Sequence, residues 1–179
     1  MNSLAHVTSP TERNLLVAFF DLTQFARFSR TVDDRELFGF VSDYYELVGA
    51  CVQQSGGTVV KFMGDAGLAV WPEEMVDRGV LGLKDLKESG DHWLERRGSP
   101  CRHVIKAHFG PVICGKIGSR TEKRFDVFGQ TVHTAALLNS NGLAITPEVF
   151  RKLQRETRKA FKRHTPPVTY IPVEERHRA

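Results

Sequence analysis

The first strongly apolar run, Leu15 to Phe20, is six residues long and ends at Asp21. That is the pattern of a short strand covered on both faces. Ahead of it, residues 1–13 carry Thr8-Ser9-Pro10-Thr11 and offer little to bury, so a mobile arm is expected there, followed by a single domain over 14–179. From Asp33 to Gln54, Leu37, Val41, Tyr44, Val48 and Val52 fall at steps of three or four, which predicts one buried face of a helix. Asp33 and Glu36 are spaced as an N-terminal capping pair, and Gly56-Gly57 stops the helix.

Two short runs follow, TVVKFM and LAVW, separated by Gly64-Asp65-Ala66-Gly67. They predict a hairpin that turns at the Gly-Asp. Residues 73–97 predict a second helical region, broken near Ser89-Gly90. His103–Phe109 and Val112–Ile117, either side of Gly110-Pro111, predict a strand pair, and Arg124–Phe128 a further strand. Gln130–Leu138 reads as a helix, and a short strand follows Asn139–Gly142. Pro147 opens another helix, and VTYIPV forms an edge-like strand. Strands alternate with helices, so the class is α/β or α+β around a central sheet.

Composition narrows the setting. With 179 residues, 41% hydrophobic and 26% charged, the chain fits one ordinary globular domain able to bury a core without staples. Its three cysteines, Cys51, Cys101 and Cys114, are odd in number and form no CxxC pair. This argues against a disulfide framework or a zinc ribbon and predicts a cytoplasmic protein. No apolar stretch approaches the roughly 20 residues of a membrane span, and the N-terminus has no signal-like core. The net charge of +4 is uneven, because Arg151–His164 holds seven Lys/Arg against the single Glu156. Leu153 and Phe161 lie eight apart in that segment, which predicts a basic helix face or a phosphate-facing flank. Nucleic-acid binding would call for aromatics among the charges, and only Phe161 is there, so no nucleic-acid partner is expected.

Two carboxylates stand out by their settings. Asp21 ends the buried strand, and Asp65 sits in the hairpin turn 44 residues later. That interval holds one helix and a return strand; if the return strand lies beside the first, the two acids meet at one sheet edge. Converging carboxylates repel unless cations sit between them, and such oxygen ligands suit Mg2+ or Mn2+. On these residues alone, Asp21 could equally cap a loop and Asp65 simply fill a turn.

Four segments together resemble the class III nucleotidyl cyclase catalytic domain. FFDLTQF is similar to that family's first metal motif, and VVKFMGDAGLAVW to its Lys-x-x-Gly-Asp hairpin. HFGPVICGKIGS resembles its His-x-Gly-x-x-x-Gly-x-Ile-Gly strands, and FDVFGQTVHTAALLN the segment that closes the site. The resemblance implies an α+β, ferredoxin-like sheet with helices packed on it, assembled as a homodimer with nucleoside triphosphate bound in the interface. It gives Asp21, Asp65 and the Leu22 carbonyl to two divalent ions, Mn2+ or Mg2+. It gives the backbone amides at Thr23 to Phe25 to phosphate, and Lys61 and Asp126 of the second protomer to the base. A donor beside an acceptor fits adenine, but also cytosine and uracil.

The departures are informative. Where the family has an Asn and, four residues on, an Arg for the ribose and the α-phosphate, this chain has His133 and Leu137. His133 can still donate a hydrogen bond; Leu137 offers no charge. Either another cation replaces that Arg, from Arg120, Lys123 or Arg124, or from Lys162 or Arg163 in the C-terminal flank, or the enzyme is slow. Phe20 stands where the family usually has a small residue, either as core or as a wall narrowing the nucleotide site. A chain little longer than the catalytic domain, with an altered closing segment, resembles the pyrimidine cyclases of bacterial anti-phage defence. Their cyclic UMP or cyclic CMP is read by a separate effector protein. Adenylyl cyclase and an impaired nucleotide-sensing module are the alternatives.

Overall fold

The computed structural model describes residue 7 and residues 9–165 and 167–176. Strand β1 (Thr11–Leu22) is central because both its faces are apolar. Leu16, Ala18, Phe20 and Leu22 join the main core on one side, while Leu15 and Val17 join a smaller cluster on the other. The short helix α1 (Phe25–Phe28) leads to the long α2 (Asp34–Gln54), and Asp33 caps α2 by accepting the Glu36 amide at 2.8 Å. The hairpin β2 (Thr58–Met63) and β3 (Ala66–Pro72) follows, then α3 (Val76–Arg96), β4 (His103–Gly118) and β5 (Lys123–Phe128). The chain closes with α4 (Gln130–Leu137), β6 (Leu143–Ile145), α5 (Pro147–Lys152), α6 (Arg155–Arg158), β7 (Phe161–His164) and β8 (Thr169–Pro172).

The sheet runs β2-β3-β1-β4-β6-β8-β7, with β5 paired to β4. Its first four strands are antiparallel and come from β1-α2-β2-β3-α3-β4, the ferredoxin-like arrangement expected. Side chains of α2 and α3, such as Tyr44, Val48, Val80 and Leu83, build the main core against one face. Ala135 of α4 packs on the other, against Val112, Cys114 and Val127.

Several expectations are corrected. Residues 1–6 and 8 of the expected arm lie outside the described residues, but Val7 is buried and Thr11–Arg13 already pair with Val112–Cys114. The break expected at Gly110-Pro111 does not occur; β4 runs through it for 16 residues. Pro111 falls between the stretch of β4 paired with β6 and the stretch paired with β5. Its carbonyl accepts from Thr131 Oγ1 at 2.6 Å, so the side where an amide would point belongs to α4 and no ladder bond is lost. The basic segment is not one helix but α5, α6 and β7, with Phe161 buried in the sheet. Strand β7, carrying Lys162 and Arg163, forms the edge, and β8 lies inside it. Charge on an edge strand deters pairing with other chains.

Helix α3 likewise continues through Ser89-Gly90. Gly90 is needed there for contact: a Cβ would stand 2.7 Å from Cε1 of His103. That ring is fully buried and held by Asp91, which is 2.9 Å from Nδ1 and 2.8 Å from the His103 backbone nitrogen. Alanine at 90 would gain about 1 kcal/mol in helix propensity and lose about 1–3 kcal/mol to overpacking. Gly90→Ala is therefore expected to lower Tm by about 2–4 °C per net kcal/mol lost. A melt followed by circular dichroism checks this, and an unchanged or raised Tm would mean the ring has room to move.

Candidate active site

The end of β1 and the β2–β3 turn reach the same sheet edge because β1 pairs with β3 up to Phe20↔Gly67. This brings Asp65 close enough to Asp21 for the Asp21 carboxyl to raise the pKa of its own. Burial pushes the Asp65 carboxyl up most, the Asp21 carboxyl adds to it, and backbone amides of Asp65 and Leu22 pull the other way; the outcome is about 6 against a usual 3.8. The Leu22 amide also donates to Asp21 at 2.8 Å. Among the described residues, no third His, Cys, Asp or Glu joins the pair.

The turn itself is built for this placement. Gly64 takes a left-handed φ of 67°, and its carbonyl accepts from the Tyr45 hydroxyl at 2.8 Å. Tyr45 stacks on Phe62 with 3.8 Å between ring centroids, which ties the turn to α2. The sequence reading missed Tyr45, whose one available signal is its position beside the core residue Tyr44. Phe20 resolves as core: it is fully buried, edge-on to Phe62 and over Gly67, and cannot narrow an open nucleotide site.

Lys61 on β2 and Asp126 on β5 come together across the sheet, Nζ to Oδ2 at 2.6 Å. The Lys61 side chain is 40% exposed and that of Asp126 16%, so the pair sits at a surface yet is partly shielded.

The remaining candidates divide. The Thr23 amide donates to the Arg102 carbonyl at 2.9 Å, and its hydroxyl accepts the Arg102 amide at 3.0 Å. Its amide is therefore engaged, a correction to the expected phosphate cradle. Phe25 opens α1 after Gln24, which holds a left-handed φ of 60°, and an amide in a first helical turn has no acceptor inside the helix. Arg120 and Lys123 are exposed at the β4–β5 turn, and Arg124 beside them pairs with Glu122 at 2.5 Å. Lys162 donates to the Val173 carbonyl at 2.7 Å, and Arg163 is exposed on the edge strand. On α4, His133 is exposed and Leu137 is 84% exposed. Met63, Ile113, Ile117 and Phe128 are also exposed, and the Lys61 ammonium lies 5.9 Å from the centre of the Phe128 ring.

The adenylate and guanylate cyclase catalytic domain family matches residues 7–169. The chain belongs to that family. Adenylate cyclase from Anabaena cylindrica is 24% identical over 161 residues, 82% of this chain and 32% of that protein. Mouse guanylate cyclase D is 29% identical over 135 residues, 71% of this chain and 12% of that protein. This cyclase-family chain thus spans a third or less of the length of these relatives. Among solved structures, a bacterial light-regulated adenylyl cyclase superposes with a TM-score of 0.80 at 23% identity, covering 93% of this chain and 54% of that one. The adenylyl cyclase CyaB from P. aeruginosa does so at 0.74 and 18%, covering 94% and 97%. The shared cyclase fold is mixed α+β, a sheet with packed helices. Among the described residues, no helix is long and apolar enough to cross a membrane.

Proposed function

We propose that this domain converts a nucleoside triphosphate to a 3′,5′-cyclic nucleotide and pyrophosphate at the interface of a homodimer. The observation that carries the reading is the meeting of Asp21 and Asp65, two acids whose mutual cost, visible in the raised Asp65 carboxyl, a cation would remove. The donor set fits a divalent ion: two carboxylates meet at one strand end, and the family resemblance adds the Leu22 carbonyl as a third oxygen ligand. Mg2+ or Mn2+ held there would neutralise charge on the triphosphate and ease loss of the ribose 3′-hydroxyl proton. The 3′-oxygen attacks the α-phosphorus, the bond to the bridging oxygen of the β-phosphate breaks, and pyrophosphate leaves with that electron pair. The hydroxyl proton passes to solvent.

Lys61 and Asp126 are held ready for a base edge. Their 2.6 Å contact would open to place Nζ on a ring acceptor and the carboxylate on an adjacent N–H. The exposed Phe128 beside Lys61, with the exposed Ile113 opposite it in the β4–β5 register, supports burial of that surface against a second copy. His133, exposed on α4, is assigned to donate to the ribose or phosphate.

For the base, the altered α4, with His133 and Leu137, favours a pyrimidine triphosphate and a cyclic UMP or cyclic CMP signal of the anti-phage kind, read by a separate effector. Burial of Phe20 removes one argument for a narrowed site. Adenine is the second reading, because Lys61 with Asp126 fits its N1 and N6 edge and several relatives are named adenylate cyclases. Incubation with each of the four nucleoside triphosphates and Mn2+, products resolved by chromatography, decides between them. UTP or CTP should be used at least tenfold better than ATP, equal to about 1.4 kcal/mol of transition-state discrimination. A preference for ATP would replace the pyrimidine reading with the adenylyl one.

A further inference from the structure

Lys106 has no place in the motifs above, yet it stands on the catalytic face. Its neighbours Ile105 and Ala107 lie in the main core, so strand alternation turns Lys106 to the opposite face. The same holds for Asp21, whose neighbours Phe20 and Leu22 are core residues. In the β1–β4 register, Phe19 opposes Lys106 and Asp21 opposes Val104. Asp21 and Lys106 are thus diagonal cross-strand neighbours, a spacing of about 7–8 Å that a long side chain spans.

The surroundings of Lys106 leave its charge under-compensated. It is half-buried, and its ammonium donates to the Ala136 carbonyl in the last turn of α4 at 3.3 Å. That is longer than the usual N–H···O distance of about 2.9–3.0 Å. No carboxylate among the described residues forms an ion pair with it, whereas Lys61 on the same sheet holds Asp126. An ammonium has three donors to satisfy, and one long bond to a neutral acceptor leaves a partly desolvated charge wanting an anion. Ala136 precedes Leu137, so this ammonium lies at the base of the helical turn where the family resemblance calls for a cation.

We propose that Lys106 binds the α-phosphate of the nucleoside triphosphate and supplies, from the strand beneath α4, the positive charge that Leu137 does not. This rests on the cyclase reading above. Arg120, Lys123, Lys162 and Arg163 are exposed and Arg124 is paired with Glu122, so none is as shielded as Lys106.

The competing role is purely structural, a donor that caps the C-terminal carbonyls of α4. Three variants separate the two. Lys106→Gln keeps a donor without charge, Lys106→Arg keeps the charge, and Lys106→Met keeps neither. For phosphate binding, Gln and Met should each lower kcat by about 10²–10³-fold, the usual effect of losing a preorganised donor to a developing charge, and Arg should stay within about tenfold of the parent. Calorimetry with inorganic triphosphate and Mn2+ should show weakened binding for Gln and Met and retained binding for Arg. A Gln variant that matches the parent in kcat and triphosphate affinity overturns the proposal, as does an Arg variant impaired as deeply as Gln. Should Met fail to fold, the contrast between Gln and Arg still decides. A parent protein that makes no cyclic nucleotide from any triphosphate would sink the cyclase reading by itself; the triphosphate affinities would still test Lys106, and equal values for Gln and Arg would overturn it.

Discussion

Asp21→Ala or Asp65→Ala should abolish cyclic nucleotide formation while the protein stays folded. Each removes one of two carboxylates converging at a sheet edge, and with it half of the negative charge able to hold a divalent ion. Stability should move in the opposite direction from activity. Burial first, and the Asp21 carboxyl second, raise the Asp65 carboxyl from 3.8 to about 6. The folded chain therefore binds more protons than the unfolded chain between those values, and its metal-free stability falls as pH rises through that window. Asp65→Asn removes the penalty at neutral pH. Because Asp65 is partly open to water, only part of the shift counts; a gain of about 1 kcal/mol would raise Tm by about 2–4 °C in metal-free buffer. Cyclic product should increase with pH over the same interval, since a protonated acid cannot hold the ion. A variant at either position that keeps parental turnover would refute the metal assignment.

Mixing two inactive chains should restore activity. Asp65→Ala spoils the metal pair and Lys61→Ala the base pair. In a head-to-tail dimer, one heterodimer interface then keeps an intact Asp21 and Asp65 opposite an intact Lys61 and Asp126. With equal amounts and free exchange, half of the dimers are mixed and each carries one working site, so about a quarter of parental activity is expected from this counting. Specific activity of the parent should likewise rise with protein concentration toward a plateau. Mixtures that stay inactive, with heterodimers confirmed by sedimentation, would place the whole site in one chain.

The sequence carried much of this arrangement. The β1 to β3 interval was legible in outline: the amphipathic helix α2 with its Asp33 cap fills 21 residues of it and the hairpin follows, but the strand that lies beside β1 is β3, after Asp65, and the return strand β2 lies outside it. The β1–β3 pairing puts Asp21 next to Asp65. Gly110-Pro111 misled because a proline's missing donor matters only on the side where a strand is paired, and that side is set by tertiary structure. Gly90 misled for a related reason: a glycine that lets a helix lie against a buried ring has the same sequence signature as one that breaks it. Leu153 and Phe161 are eight apart, a spacing that a helix allows but does not require, and they lie either side of the separate helix α6. Lys106 and Tyr45 match no motif. Lys106 became visible through strand register and the distance to the Ala136 carbonyl, and Tyr45 through its bond to Gly64.

Cyclisation at a paired-carboxylate site is tested most directly by the phosphorus balance of a single incubation. The parent protein, Mn2+ and the best-used triphosphate are followed by phosphorus NMR, with an EDTA-treated sample alongside. The expected result is 3′,5′-cyclic monophosphate and pyrophosphate in equal amounts, with neither formed in EDTA. Orthophosphate with a nucleoside diphosphate, or cyclic product undiminished by EDTA, would contradict it.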